Sequence, residues 1–197
     1  AMASAPPNWH FDYLAPIYDY LAFERNYDPI LNGLSLSGDD RLLDLAGGTG
    51  EFLEELIERG VIRRENAYLI DLSESMLEQA DERGLPNLYH DDTADMPFSN
   101  DMFQGVFAGD AIHHMGDPVA VFREVRRVLA PGGRFVIEEF DPSRFVGKLL
   151  YAMERLSGMG SQFKEPSELI SLLETAGFSD VTHQQDGFVY YLAASEG

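Results

Sequence analysis

"RLLDLAGGTGEFLEELIERG", residues 41–60, sets an apolar run around one acid, then three glycines in four positions, then a run with helical spacing. Phe52, Leu53, Leu56 and Ile57 fall on one helical face and Gly60 ends it. A strand feeding a helix through so permissive a turn is the repeating unit of an α/β fold. The turn exposes backbone N–H groups and bare Cα atoms to anything flat that approaches, and only glycine tolerates the φ values and the contact distance. Such a turn serves dinucleotides, other nucleosides, or nothing at all, so neighbouring residues must decide.

Outward from this unit the pattern repeats. "NAYLID" (66–71), "NLYHD" (87–91), "FQGVFAG" (103–109) and "RFVIEEF" (134–140) read as further strands. A helix starts near Ser73 with Met76, Leu77 and Ala80 inward. Another opens at Asp117-Pro118, an N-cap followed by proline at the first helical position, and buries Val121, Phe122, Val125, Val128 and Leu129 before "PGG". "EPSELISLLETAGF" is a last helix, and "DVTHQQ" and "FVYYLAA" flank a tight Asp-Gly turn as an antiparallel hairpin. Five β-then-α units closed by a hairpin predict a Rossmann-like three-layer α/β sandwich with a seven-stranded, mostly parallel sheet. Residues 10–197 make one domain. Within it, the aromatic 10–36 form an N-terminal helical cap divided at Pro16, and 143–164 an added cap on the substrate side; 1–9 read as a tag remnant or loose tail.

The 197 residues suffice for a sizeable core, and 45% hydrophobic content is that of a folded protein. No apolar run is long enough to cross a bilayer and no signal-like segment opens the sequence, so a cytoplasmic protein is expected. There is no cysteine, which excludes disulfides and thiolate metal sites. The net charge of −20 repels phosphate backbones and anionic lipid, so nucleic acid and membrane surfaces are unsuitable partners. That acidity is shared by high-salt proteins and by ordinary acidic ones.

Three acidic features narrow the ligand. Asp71 ends the second strand about 20 residues past the glycines, where a carboxylate meets ribose hydroxyls. Asp44 lies inside the end of the first strand, where it can fix the turn or hold an ammonium group. Glu51, Glu54 and Glu55 crowd the helix start, which disfavours a pyrophosphate and suits a ligand carrying positive charge. A ribose-bearing, phosphate-free, cationic nucleoside is S-adenosylmethionine.

With those residues in hand, "LLDLAGGTG", "YLIDLSESMLEQA", "HDDTADMPF", "FQGVFAGDAIHHM" and "FREVRRVLAPGGRFVIEEF" resemble, in order and spacing, the motif series of class I S-adenosylmethionine-dependent methyltransferases. The whole is most similar to the ubiquinone/menaquinone-biosynthesis group, whose opening "LAPIYDYL" also resembles. The resemblance implies roles position by position. Asp44, Ala46, Gly47, Gly48 and Gly50 would form the cofactor loop, with Asp44 toward the methionine ammonium. Asp71 would take the ribose hydroxyls, Leu72 and Met76 would flank the adenine, and Asp92 and Thr93 would bind its edge. Ala108, Gly109 and Asp110 would line the path to the sulfonium, and Tyr18 would close over the methionine end. Two positions depart from the family pattern: Ala46 replaces a common glycine, and Gln104 follows Phe103 where an aspartate is usual.

In-line methyl transfer asks the protein for alignment, exclusion of water and sometimes removal of a proton. His113 and His114, after the fourth strand, are the candidate bases, with Asp110 beside them. No metal is expected there, because adjacent histidines on a turn seldom converge and no third ligand is evident. His10, His90 and His183 read as surface or packing residues. The expected substrate is a small-molecule methyl acceptor, apolar or aromatic, taken by a monomer or homodimer. Rival readings are an NAD-type dehydrogenase, which lacks a well-spaced G-x-G-x-x-G here, and a binding module that has kept the fold without the chemistry.

Overall fold

A computed structural model describes residues 25–144, 147 and 162–195. Helix α1 (Tyr27–Leu34) is capped by Asn26, whose side chain accepts from the Asp28 N–H. It is followed by β1 (Leu42–Leu45), α2 (Glu51–Glu58), β2 (Ala67–Asp71), α3 (Glu74–Glu82), β3 (Asn87–His90) and β4 (Phe103–Gly109). Then come α4 (Pro118–Val128), β5 (Leu129–Phe140), α5 (Pro166–Ala176) and the hairpin β6 (Asp180–Asp186) and β7 (Val189–Ser195). The sheet has seven strands in the order β3-β2-β1-β4-β5-β7-β6. Strands β1 to β5 run parallel, β7 is antiparallel to β5, and β6 to β7. The expected mostly parallel sheet with an antiparallel hairpin is therefore present.

Side-chain alternation builds the layers. Leu43, Leu45, Val106, Ala108, Phe135 and Ile137 bury one sheet face against Phe122 and Val125 of α4 and Leu169 and Leu173 of α5. Leu42, Leu69, Phe107, Val136 and Tyr191 bury the other face against Ile30 and Leu34 of α1, Phe52, Leu53 and Leu56 of α2, and Leu77 and Ala80 of α3. Gly33 lets α1 approach closely, since a β-carbon there would lie 2.8 Å from Val136 and 3.2 Å from Ala193. Neighbouring strands β1 and β4 mark where the strand order reverses. In such sheets the crevice for ligands opens at the carboxyl ends of the strands flanking that point.

Two expectations are corrected. The stretch between β3 and β4 holds turns and no helix, because "DDTADMPFSND" is a succession of Asp, Ser, Asn and Pro turn formers. Strand β5 starts at Leu129 rather than Arg134, so "APGG" lies within it. There the register against β4 shifts between Phe103 and Gly105. Tyr18, residues 1–9, most of the 10–36 cap and nearly all of 143–164 lie outside the described residues. No described helix is long and apolar enough to cross a membrane.

Phe122 is fully buried, with its ring 5.6 Å from that of Phe135 across the α4–sheet interface. Replacing it with alanine removes most of that contact, and urea denaturation should show a loss of about 3–5 kcal/mol.

Candidate active site

The glycine turn sits at the carboxyl end of β1. Ala46, Gly48 and Gly50 have φ of 55°, 55° and 75°, and Gly50 is the N-cap of α2. Ala46 thus holds the left-handed conformation where the related pattern has glycine, at a cost of about 1–2 kcal/mol. Gly47 is required by contact instead: a β-carbon there would lie 2.5 Å from the Asp44 carboxyl carbon and 2.9 Å from Leu69. At Gly48 a β-carbon would meet nothing within 4 Å, so the outer side of the turn is open.

Asp71 closes this turn. Its Oδ2 accepts from the Gly48 N–H at 2.9 Å and its Oδ1 from the Ser73 N–H at 2.8 Å. An ionised carboxylate has about four acceptor positions, so two backbone donors leave room for hydroxyls. Beside it Leu72 is 66% exposed, the one large apolar side chain so exposed among the described residues. Met76 is half-buried on the next turn. Thr93 is buried, and Asp92, exposed, accepts from the Ala94 N–H at 2.9 Å. The glycine turn after β1 thus meets the end of β2 through the Gly48–Asp71 bond, with Leu72 and Met76 following Asp71 and with Asp92 and Thr93 following β3. Gln104 is remote from it: its side-chain carbonyl accepts from the Arg41 N–H at the start of β1, which makes that departure harmless to the crevice.

Asp44 is 2% exposed and its Oδ2 has no hydrogen-bond partner among the described residues. Burial pushes its carboxyl up to about 7, with Asp71 and Glu138 adding to the rise and Arg25 opposing it. A buried acceptor with no donor among the described residues, under a turn that a β-carbon would fill, fits an ammonium-bearing nucleoside.

Arg25, just ahead of α1, was not anticipated from the sequence. Its Nε donates to Glu138 Oε1 at 2.9 Å, and its guanidinium lies 5.8 Å from the ring centroids of both Phe52 and Phe107. Burial lowers its basicity, but Glu138, Tyr27 and Asp44 more than offset that, so it stays cationic. Glu138 goes the other way: burial raises its carboxyl despite the ion pair with Arg25. Arg25, Glu138, Asp110, Glu139 and Phe140 border a cavity of about 540 Å³ that reaches Glu51 at the start of α2. Two acids closing the otherwise apolar strand "RFVIEEF" were the sequence signal for this wall, since they sit at a carboxyl end near the reversal point.

Beyond β4, Asp110 has φ of 52° and its N–H donates to the Glu138 carbonyl. His113 is buried, stacked on Phe163 at 4.2 Å, with the His114 ring 4.0 Å away. Its Nδ1 lies 2.9 Å from Glu139 Oε2 and 3.8 Å from Asp110 Oδ1, and its backbone N–H donates to Glu139 Oε1 at 3.2 Å. The structure therefore brings Asp110 and His113 together, leaves His114 exposed, and adds Glu139. Metal-binding types of atom on Asp110, His113 and Glu139 lie within 4.8 Å of one another, so Glu139 supplies a third group that the sequence did not make evident. Ala108 is buried in the sheet and Gly109 lies against Phe107 and Arg25.

Residues 43–137 match the family model described as a methyltransferase domain. The chain is 31% identical over 170 residues to the demethylmenaquinone methyltransferase of Clavibacter sepedonicus, which covers 74% of this chain and 68% of that protein. It is 32% identical over 171 residues to the demethylmenaquinone methyltransferase of Mycolicibacterium vanbaalenii, covering 75% and 72%. A solved structure from Thermotoga maritima, described as an S-adenosylmethionine-dependent methyltransferase and possible histamine N-methyltransferase, shares the fold. Its TM-score is 0.74 at 20% identity, over 96% of this chain and 99% of that one.

The raised carboxyl of Asp44 carries a pH prediction. A group with a folded value of about 7 and an unfolded value of 3.8 is protonated on folding between those limits, so it costs stability as pH rises through that window. Asp44→Asn should therefore gain on the wild type from about pH 4 to 7, reaching up to about 4 kcal/mol above pH 7. Denaturation of the unliganded proteins across pH measures this; a difference that does not vary with pH would show Asp44 charged throughout.

Proposed function

This chain belongs to the S-adenosylmethionine-dependent methyltransferases, and from that premise we propose that it methylates a small apolar or aromatic acceptor, with a reduced quinone ring the favoured class. The observation that carries the site assignment is the unpartnered Asp44 oxygen beneath the glycine turn, next to the turn that Asp71 fastens. Asp44 and the loop Ala46, Gly47, Gly48 and Gly50 would hold the methionine part, with Arg25 at hand for its carboxylate. Asp71 would take the ribose hydroxyls, Leu72 and Met76 would sandwich the adenine, and Asp92 and the Thr93 backbone would meet its edge. Tyr18 completes this reading at the methionine end.

S-adenosylmethionine supplies an electrophilic methyl group on a sulfonium when bound. The protein aligns the acceptor, keeps water away and accepts a proton where the nucleophile carries one. Ala108, Gly109 and Asp110 would border the methyl group, because β4 ends in the reversal crevice. The acceptor would lie in the 540 Å³ cavity, between Phe140 and Asp110, with His113 behind that wall. The acidic surroundings favour a cationic cofactor and disfavour an anionic acceptor. A charge of −20 supports an enzyme without a nucleic-acid partner, and the same reading makes it cytoplasmic, as a monomer or homodimer.

Calorimetric titration with S-adenosylhomocysteine tests the cofactor half. Asp71→Ala should weaken binding by about 1–3 kcal/mol, through loss of charge-assisted bonds to the ribose. Heat with NAD and none with S-adenosylhomocysteine would refute the assignment.

A further inference from the structure

We propose that Glu139 is the group that takes the acceptor's proton, and that His113 is the residue that positions it. The inference rests on the methyltransferase reading above and deepens it at the acceptor end. Sequence reasoning places the histidines in that role, because imidazole titrates near neutrality. Geometry argues for the reverse order. Glu139 and Asp110 border the cavity, whereas neither His113 nor His114 is among the described residues that do. His113 lies behind Glu139, its side chain 1% exposed and its ring stacked on Phe163.

Strand alternation explains why Glu139 and not Glu138 is available. Glu138 shares the sheet face of Val136 and is held by Arg25 at 2.9 Å. Glu139 follows Phe135 and Ile137 on the opposite face, where His113 meets both its oxygens. Those contacts offset the cost of burying a carboxylate and fix its orientation. With Nδ1–H donated to Glu139, the imidazole is held in one tautomer, as a residue that orients a base should be. Asp110, its side chain 37% exposed against 4% for Glu139, is the more solvated of the two acids bordering the cavity.

The step balances. A proton leaves the acceptor's O–H, N–H or activated C–H for a Glu139 oxygen. The electron pair it leaves forms the new bond to the methyl carbon, and the methyl–sulfur bond breaks with its pair kept by sulfur. One negative charge on Glu139 and one positive charge on sulfur are lost together, which favours the reaction in a site shielded from water.

Glu139→Gln, Glu139→Asp, His113→Asn and Asp110→Asn test this by two independent readouts. The first is the ¹H–¹⁵N spectrum of the His113 ring with S-adenosylhomocysteine bound. It should show Nδ1 protonated and hydrogen-bonded in the wild type and a changed ring in Glu139→Gln; an unchanged ring would overturn the pairing. The second is transfer of labelled methyl to 1,4-dihydroxynaphthalene, catechol and tyramine, followed against pH under anaerobic conditions. Glu139→Gln should lower kcat by about 10²–10⁴-fold and abolish the loss of rate on the acid side, with S-adenosylhomocysteine affinity within about twofold of wild type. His113→Asn should lower kcat less and displace that acid-side loss, Glu139→Asp should retain part of the rate, and Asp110→Asn should lower kcat less than Glu139→Gln does. Near-wild-type kcat in Glu139→Gln with an inactive His113→Asn would make His113 the base and overturn the proposal. Tight S-adenosylhomocysteine binding with no transfer to any of the three acceptors would also overturn it, while leaving the cofactor site standing. Absence of that binding in the wild type would instead sink the function reading itself.

Discussion

Carboxylates crowded at one end of a sheet repel one another, and the arrangement of this molecule follows from how that repulsion is met. Asp44, Asp71, Asp110, Glu138 and Glu139 all sit at the carboxyl ends of neighbouring strands. Three of them are met by different devices: backbone N–H groups for Asp71, a guanidinium for Glu138, an imidazole for Glu139. Asp44 is left with partial protonation, because burial makes its charged form costly and Asp71 and Glu138 add to the cost. On the proposed reading a cationic ligand would relieve that frustration, which Arg25 only partly offsets. Binding and electrostatic relief would then be one event.

Such crowding needs a backbone that can bring strand ends together without filling the gap between them. Gly47 does this by lying against Asp44, where no β-carbon fits. Ala46 and Asp110 take left-handed φ values without being glycine, one on each strand bordering the crevice. Strain of this kind persists where surrounding structure over-determines it, and here it frames the site on both sides.

The sheet and its layers were legible because apolar periodicity, caps and glycine stops agree along the chain. Asp117-Pro118 opens α4 as read, and Gly177 caps α5 in the left-handed conformation. The glycine turn, Asp44 and Asp71 were legible for the same reason: they lie inside one local unit with fixed spacing. What escaped was non-local. Arg25 and Glu138 are 113 positions apart, and nothing near either residue announces the other. Glu139 and His113 are likewise 26 positions apart, and their pairing is visible only in the fold. Strand β5 began earlier than expected since "APGG" resembles a turn, and pairing with β4 outweighed that local preference.

Two tethers beside α1 have a bearing on how the molecule comes to be made. Arg25 is held by β5, Asn26 by Asp186 in the hairpin at 2.8 Å, and Gly33 rests on Val136 and Ala193. A nascent polypeptide emerges from the ribosome with these early residues first, yet their seat is built from its late ones. Helix α1 must therefore wait, undocked, until β5 and the hairpin have been made, and the crevice gains its guanidinium only once β5 has formed. Closure of this end of the sheet is in this sense a report that the hairpin has been made.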